Sequence, residues 1–117
     1  MIGEKTLDHI RSAVNAEVRH GNALHGSFHN HHEAWAVTLE EIEETRELFE
    51  EFTALTKEAV ELLWEGVKHD WTAEDEVIGA IDDIHMVSME LAQECVQVMA
   101  MCRKWVDLIN KEKEESV

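Results

Sequence analysis

The chain of 117 residues contains no proline and no tyrosine, only five glycines and two cysteines, and ten basic residues against 26 acidic ones. Without proline, a long helix meets none of the residues that most disrupt a helix interior. Two cysteines are too few for a disulfide framework, and no apolar run approaches the length of a membrane span. The composition therefore predicts a single domain over residues 1–117, with no membrane partner.

The formal net charge of −16 bears on the partners of the protein. Binding to nucleic acid needs clustered Lys and Arg to neutralise phosphates, so direct binding to DNA or RNA is not expected. A DNA-mimicking acidic protein remains an alternative on charge alone. The first five residues lack the apolar core of a signal peptide, which predicts a cytoplasmic location.

Apolar residues recur at three- and four-residue steps over three stretches, which predicts an all-α fold with two long helices. The first helix is expected over residues 6–20, with Gly21 ending it. The second is expected over residues 29–69 and the third over residues 73–111. The charged residues 111–117 are expected to form a frayed tail.

The bounds of the second helix leave alternatives open. Thr53 and Thr56 mark a point at which so long a helix could bend or break. The pair Thr38 and Glu41 has the spacing of a capping box, which would start the helix later. The apolar pattern favours the earlier start, near residues 29–32.

The third helix carries the most regular pattern. A seam of apolar residues alternates steps of four and three, and a second stripe lies beside it. An apolar face this wide exceeds a two-helix contact and predicts a bundle completed by oligomerisation, as a homodimer or homotetramer. The two cysteines in the seam are expected to be small buried apolar residues. The seam consists of Val77, Ile81, Ile84, Ser88, Leu91, Cys95, Val98, Cys102, Trp105 and Ile109, and the second stripe of Ile78, Met89, Ala92, Val96, Met99 and Val106.

Carboxylates recur at helical spacing next to core positions of the last two helices. Glu41 and Glu44 are three residues apart and Glu40 and Glu44 four apart, which places them on neighbouring turns of roughly one face. Glu94 and Gln97 repeat the three-residue spacing on the third helix. Oxygen ligands of this hard type are those that magnesium or manganese prefers. In so acidic a chain the same spacing arises elsewhere, and a solvated acidic face is the alternative interpretation.

Two stretches around these carboxylates resemble the all-α nucleoside triphosphate pyrophosphohydrolases of the MazG type. Residues 28–44, FHNHHEAWAVTLEEIEE, look like the helix of that family that carries Glu-Glu-x-x-Glu. Residues 94–105, ECVQVMAMCRKW, are similar to a MazG-like subgroup found in bacteria and phages. The second motif of the best-known members ends in Asp, where this chain has the neutral Gln97, and the separation between the motifs is longer than usual.

The resemblance implies hydrolysis of a nucleoside triphosphate to a monophosphate and pyrophosphate. Glu41, Glu44 and Glu94 would hold Mg²⁺ or Mn²⁺, Glu40 would be a ligand or the base that orients water, and Gln97 would be a weaker ligand. Such ions neutralise the triphosphate and stabilise the leaving pyrophosphate. An acidic protein can bind a polyanion in this way because the metals invert the local charge.

Three further residues are candidates for substrate binding. Lys104 shares a helix face with the second motif and is a candidate phosphate contact, with a solvent-facing lysine as the alternative. Trp35 lies one turn before the glutamates and could stack on a nucleobase, with a core position as the alternative. Core positions are favoured for Trp64 and Trp105. His32 belongs to a group of nearby histidines for which substrate contact or a polar helix start is favoured over zinc binding. The group comprises His25, His29, His31 and His32.

The leading interpretation is a metal-dependent nucleoside triphosphate pyrophosphohydrolase. The first alternative is a non-catalytic acidic helical interaction protein that binds a basic protein partner. The second is a metal-binding regulator that keeps the site but lacks turnover.

Overall fold

The computed structural model describes residues 3–71 and 74–116, and these residues form three α-helices. Helix α1 spans Glu4–His25, α2 spans His31–Lys68 and α3 spans Asp75–Glu115. Over the described residues there is no strand, so the predicted all-α class with two long helices is confirmed. None of the helices in these ranges has the length and apolar character needed to cross a membrane.

Helix α1 is longer than the sequence pattern predicts. Gly21 lies inside the helix, and the chain leaves it at Gly26, whose φ of 75° is in the left-handed region. The N–H of Gly26 donates to the carbonyl of Asn22 at 2.8 Å, which closes the last turn. The prediction that Gly21 ends the helix is wrong, because a glycine within a helix costs only about 1 kcal/mol relative to alanine and packing can offset that.

Helix α2 begins early because a side chain caps it. Asn30 Oδ1 accepts a hydrogen bond from the backbone N–H of Glu33 at 2.9 Å, and Glu33 Oε1 accepts one from the backbone N–H of His29 at 3.3 Å. The early start of this helix is therefore confirmed. Thr38 and Glu41 do not form a capping box, since both lie inside the helix. The operative pair, Asn30 and Glu33, has the same spacing and was visible in the sequence.

Helix α2 continues without a break past its two central threonines. The hydroxyl of Thr53 donates to the carbonyl of Phe49 at 2.9 Å, and that of Thr56 to the carbonyl of Phe52 at 2.6 Å. Both hydroxyls are thus satisfied on their own helix, by bonds that cost the helix little and do not break it.

Helix α2 ends in a left-handed turn at Asp70, which has φ 56°. The N–H of Trp71 donates to the carbonyl of Gly66 at 2.8 Å, and the N–H of Asp70 points to the carbonyl of Val67 at 3.4 Å. This pair of contacts is the Schellman ending of a helix, in which glycine is the usual left-handed residue.

Helix α3 differs from its prediction at both ends. The predicted first residue, Ala73, lies outside the described residues, and the helix begins at Asp75. It continues to Glu115, so residues 111–115 of the predicted tail are helical. Val117 also lies outside the described part of the chain.

By packing, the chain divides into two compact units. Unit 1 consists of Met1–Glu44 and Glu94–Val117, and unit 2 consists of Thr45–Gln93. The boundary therefore falls within α2 and within α3.

The interior of unit 1 joins all three helices. Val14 and Val18 of α1 pack with Ala100 of α3, and Ala100 is fully shielded from solvent. A second cluster brings Phe28, just before α2, together with two further buried residues. They are Ala34 of α2 and Leu108 of α3.

Unit 2 contains the second half of α2 and the first half of α3, which pack through small residues. Ala59 of α2 and Val77 and Ala80 of α3 are buried. At Gly66 an added Cβ would lie 2.8 Å from Val77 Cγ2, so the approach of the two helices leaves room only for glycine.

The predicted seam of α3 forms only part of its interior, since six of its ten residues are half-buried. Of its ten residues only Val77 is buried, while Ile81 is 52% exposed and Cys102 is also exposed. The reason is that small side chains let helices approach closely, which turns larger apolar residues outward. The buried residues of α3 are Val77, Ala80, Val87, Ala100, Lys104 and Leu108.

Candidate metal centre

Three of the carboxylates predicted as metal ligands lie together in unit 1. Glu41 and Glu44 of α2 and Glu94 of α3 each offer an oxygen within 4.8 Å of the other two. Opposite ligands of an ion are separated by twice the metal–oxygen distance, about 4.2 Å for magnesium and about 4.8 Å for calcium. The three oxygens therefore lie close enough to share one divalent ion, with a small contraction for magnesium.

The electrostatics of this cluster disfavour its fully charged, metal-free form. Burial raises the pKa of Glu41 above its ordinary value, and the charges of Glu44, Glu94, Glu40 and Glu17 raise it further, in that order. Both effects penalise negative charge at Glu41, and a bound cation would relieve both.

Glu94 gives a separate test of whether the residues fit a cation. Its Oε2 atom is shielded from solvent and has no hydrogen-bond partner among the described residues. A carboxylate oxygen left in this state loses the bonds that water would make to it, at a cost of about 1 to 3 kcal/mol. A cation or a water bound to it would satisfy this oxygen, so the donor set fits a hard divalent ion.

Of the two other predicted ligands, Glu40 stands apart from this group. Glu40 is exposed and does not belong to the group whose oxygens lie within 4.8 Å of one another. Its charge nevertheless contributes to the raised pKa of Glu41. Gln97 is half-buried on α3, one turn after Glu94 on the same face. The structure thus brings together three of the four predicted carboxylate ligands.

A pocket of about 450 Å³ adjoins the cluster, and Glu41 forms part of its wall. The other walls come from the last turns of α1, the segment before α2, the first turns of α2, and α3. Three imidazoles line it, together with two more carboxylates and an apolar surface. The imidazoles are His20, His25 and His29, the carboxylates Glu17 and Glu33, and the apolar residues Leu24, Phe28, Val37 and Met101.

Lys104 is buried in the wall of this pocket and is only 6% exposed. Its ammonium lies 4.6 Å from the centre of the Phe28 ring, a cation–π contact, and next to Gly21, where an added Cβ would be 3.8 Å from Nζ. No carboxylate of the described residues forms an ion pair with it. The solvent-facing alternative for Lys104 is therefore wrong, and its ammonium opens into the pocket without an ion pair among the described residues.

The charge of Glu33 interacts with that of Lys104, but the carboxylate is hydrogen-bonded to His29 and makes no ion pair with Lys104. Its Oε2 lies 3.0 Å from His29 Nδ1, and this hydrogen bond is the main reason that the pKa of Glu33 is lowered. Burial opposes the shift, while the backbone N–H and charge of His29 and the charge of Lys104 add to it. Glu33 consequently stays ionised and bound to His29.

The remaining substrate-binding candidates lie outside the pocket. Trp35 is 59% exposed, so the core alternative for it is wrong, and Trp64, at 58%, is likewise not a core residue. His32 is also exposed. Trp105 is half-buried and donates its indole N–H to Nδ1 of His31 at 3.0 Å.

Sequence reasoning missed three residues of this region, one of which is His20 in the wall of the pocket. Glu17 lies on α1 beside the buried Val18 and contributes charge at Glu41. Phe28 was named only as part of the family motif, yet its ring makes a cation–π contact with the Lys104 ammonium. Nothing in the spacing of α1 against α2 could have brought Glu17 to the site, because that contact depends on the packing of two helices.

No known protein family, no curated protein and no solved structure matches this chain.

Proposed function

We propose that the protein is a metal-dependent nucleoside triphosphate pyrophosphohydrolase with a MazG-like helical fold. The observation that carries the proposal is the meeting of Glu41, Glu44 and Glu94 within 4.8 Å, from two helices whose motifs are 50 residues apart. Supporting it are the raised pKa of Glu41, to which burial contributes most, and the unsatisfied Oε2 of Glu94.

In this proposal the chain holds and orients, and the bound Mg²⁺ or Mn²⁺ supplies charge neutralisation of the phosphates and activation of water. Glu41, Glu44 and Glu94 hold the ion, and Gln97 offers a neutral amide oxygen one turn from Glu94. Glu40, exposed beside Glu41, orients the attacking water and accepts its proton. A cytoplasmic location would supply both the nucleotide and the magnesium.

The pocket next to Glu41 supports an anionic substrate at the same site. Its Lys104 ammonium makes no ion pair within the described chain, so a phosphate oxygen of the substrate is the partner we assign to it. His20 and His25 can donate to the same phosphates. We assign Trp35 and His32, both exposed, to the outer part of the substrate, with the indole stacking on the base.

We also propose that the bundle is completed by another copy of the chain, as a homodimer or homotetramer. Helix α2 exposes Phe49, Val60, Trp64 and Val67, whose spacing puts them along one side of the helix. An exposed apolar stripe of this length marks an interface more often than free surface. Light scattering should therefore give at least twice the monomer mass, and a monomeric mass would contradict this part of the proposal.

The test of activity is pyrophosphate release from a panel of nucleoside triphosphates, with Mg²⁺ or Mn²⁺ and with a chelator. Glu41→Gln and Glu94→Gln should abolish release and remove most of the stabilisation that magnesium confers. That stabilisation is about 2.7 kcal/mol at a hundred times the dissociation constant. Glu58→Gln and Glu61→Gln, on α2 outside the cluster, are the matched controls. If these controls lose activity and the magnesium response as fully as Glu41→Gln and Glu94→Gln do, magnesium binds only non-specifically to the acidic surface.

One observation favours a second candidate, a non-catalytic protein that binds a basic partner. An open groove of about 470 Å³ runs between the helices of unit 2. Its floor includes Ala59 and Ala80, and its rim carries Glu58, Glu76 and Asp83. No release from any nucleotide, together with an unchanged fold and intact metal binding, would favour this candidate or a metal-binding regulator over the enzyme.

A further inference from the structure

Thr38 holds a hydroxyl that nothing in the described chain satisfies. The residue is 6% exposed, and its Oγ1 atom is shielded from solvent with no hydrogen-bond partner among the described residues. A hydroxyl can both donate and accept, so leaving it unbonded in the interior loses more than one interaction. Buried polar groups of this kind call for an explanation, such as a bound water or ion.

Other hydroxyls on the long helices do not share this state. Thr53, Thr56 and Ser88 each donate to the backbone carbonyl four residues earlier, at 2.9, 2.6 and 2.7 Å. This bond is open to any threonine or serine inside a helix and costs little. The hydroxyl of Thr38 instead makes no bond to its own helix, which leaves it free to bind a group outside the chain.

The position of Thr38 relates it to the carboxylate cluster. Thr38 lies three residues before Glu41 on α2, and residues at this spacing are neighbours on the helix surface, about 5 to 6 Å apart between Cβ atoms. On α3, the Oε2 atom of Glu94 is also buried and unsatisfied. These two atoms do not bond each other, and a water or ion held by the cluster would satisfy both.

We propose that Thr38 is a positioning residue for the cation site, its hydroxyl holding a water molecule that belongs to the ion bound by Glu41, Glu44 and Glu94. The inference rests on the metal binding in the proposed function and adds a residue to it. The hydroxyl accepts one hydrogen of that water and thereby fixes the orientation of its remaining hydrogen and lone pairs. Outer groups of this type hold the geometry of a metal site and raise its affinity.

The test is the affinity for Mn²⁺, measured by calorimetry and by the electron paramagnetic resonance signal of free manganese. Thr38→Val keeps the shape of the side chain and removes the hydroxyl. We expect it to weaken Mn²⁺ binding about tenfold, the lower end of the effect of outer-shell partners. Thr53→Val, which removes a hydroxyl that is satisfied on its own helix, should leave the affinity unchanged.

Two further variants isolate the hydroxyl from packing. Thr38→Ser and Thr38→Ala both lose the methyl group, and they differ in the hydroxyl alone, so Thr38→Ser should bind Mn²⁺ at least about fivefold more tightly than Thr38→Ala. Urea unfolding of the metal-free protein should show Thr38→Val to be as stable as the wild type or more so, because an unsatisfied buried group has been removed.

The outcomes separate this inference from the proposed function. If the wild type binds Mn²⁺ and Thr38→Val and Thr38→Ala bind it equally well, Thr38 plays no part and the proposed function stands. If the wild type does not bind Mn²⁺ at all, both the cation site and the role of Thr38 are refuted. If Thr38→Val unfolds more easily without metal while its Mn²⁺ affinity is unchanged, the residue is a packing residue only.

Discussion

Replacing Lys104 by methionine removes a charge while keeping the length and most of the volume of the side chain. In the structure this side chain is 6% exposed, and its ammonium has no ion pair within the described residues. The ligand-free protein therefore carries a largely buried lysine whose charge is balanced only by groups outside ion-pair distance, such as Glu33. Substitution by an apolar residue of similar shape should stabilise the fold, the opposite of the usual effect of a core mutation.

Two opposing contributions set the magnitude. Loss of the contact with the Phe28 ring, at 4.6 Å from its centre, costs about 0.5 to 2 kcal/mol. Removal of the charge acts in the opposite direction, since replacing buried ionic groups by apolar residues of similar volume can gain about 1 to 4 kcal/mol. With a gain of about 2 kcal/mol and a loss of about 1 kcal/mol, both within these ranges, we expect Lys104→Met to raise the free energy of unfolding by about 1 kcal/mol.

The assay is urea unfolding of the metal-free protein at fixed concentration, followed by circular dichroism. Lys57→Met replaces an exposed lysine of α2 and should change stability by less than about 0.5 kcal/mol. In a second measurement, magnesium with pyrophosphate should raise the melting temperature of the wild type and of Lys57→Met. The same ligands should raise that of Lys104→Met much less.

A loss of stability in Lys104→Met, beyond the change in the control, would refute this reasoning. It would mean that the ammonium is well satisfied in the free protein and does not await an anion. An equal response of both variants to magnesium with pyrophosphate would remove Lys104 from the substrate site.

Three other predictions follow from local geometry. Burial and neighbouring charges raise the pKa of Glu41, so its contribution to stability is present below the ordinary value of 4.5 and lost as pH rises through the raised value. Glu41→Gln should therefore stabilise the metal-free protein at pH 7 and not at pH 4. Urea unfolding at both pH values will test this. Gly66→Ala should lower the free energy of unfolding by about 1 to 2 kcal/mol, since the new Cβ would lie 2.8 Å from Val77 Cγ2. Gly79→Ala should raise it by about 0.5 to 1 kcal/mol, because a Cβ at Gly79 would meet nothing within 4 Å. Equal effects of the two alanines in thermal melts would refute the close helix approach. Asp70→Gly should stabilise by about 1 kcal/mol in the same assay, because Asp70 has φ 56° at the end of α2; a loss of stability would show that its side chain matters more than its backbone strain.

The local part of the fold was readable from the sequence. Helices depend on contacts between residues three and four apart, and a chain without proline and with regular apolar spacing has few other choices. The early start of α2 also follows from the local pair Asn30 and Glu33. The error at the end of α1 arose between two glycines, Gly21 and Gly26, because only the backbone conformation shows which of them takes the left-handed position.

Only part of the candidate site could be predicted from the sequence, namely the part that depends on spacing within one helix. Glu41 and Glu44 are neighbours in any helix, so their pairing follows from spacing alone. The arrival of Glu94 depends on how α3 is aligned against α2, and that of Glu17 on how α1 packs, neither of which the periodicity of a single helix specifies. The two motifs pointed to Glu94 but could not give a distance.

Burial was decided by tertiary structure alone. On α3 the sequence shows two apolar stripes, and the structure buries small residues such as Ala80 and Ala100 because helices at close approach have room for little else. The same choice of face buries Lys104, which lies between Ala100 and Leu108 at four-residue steps. A sequence pattern assigns lysine to the surface, where it is nearly always found. Only the packing of α1 and α3 around Phe28 places its charge in a pocket that Glu41 also lines.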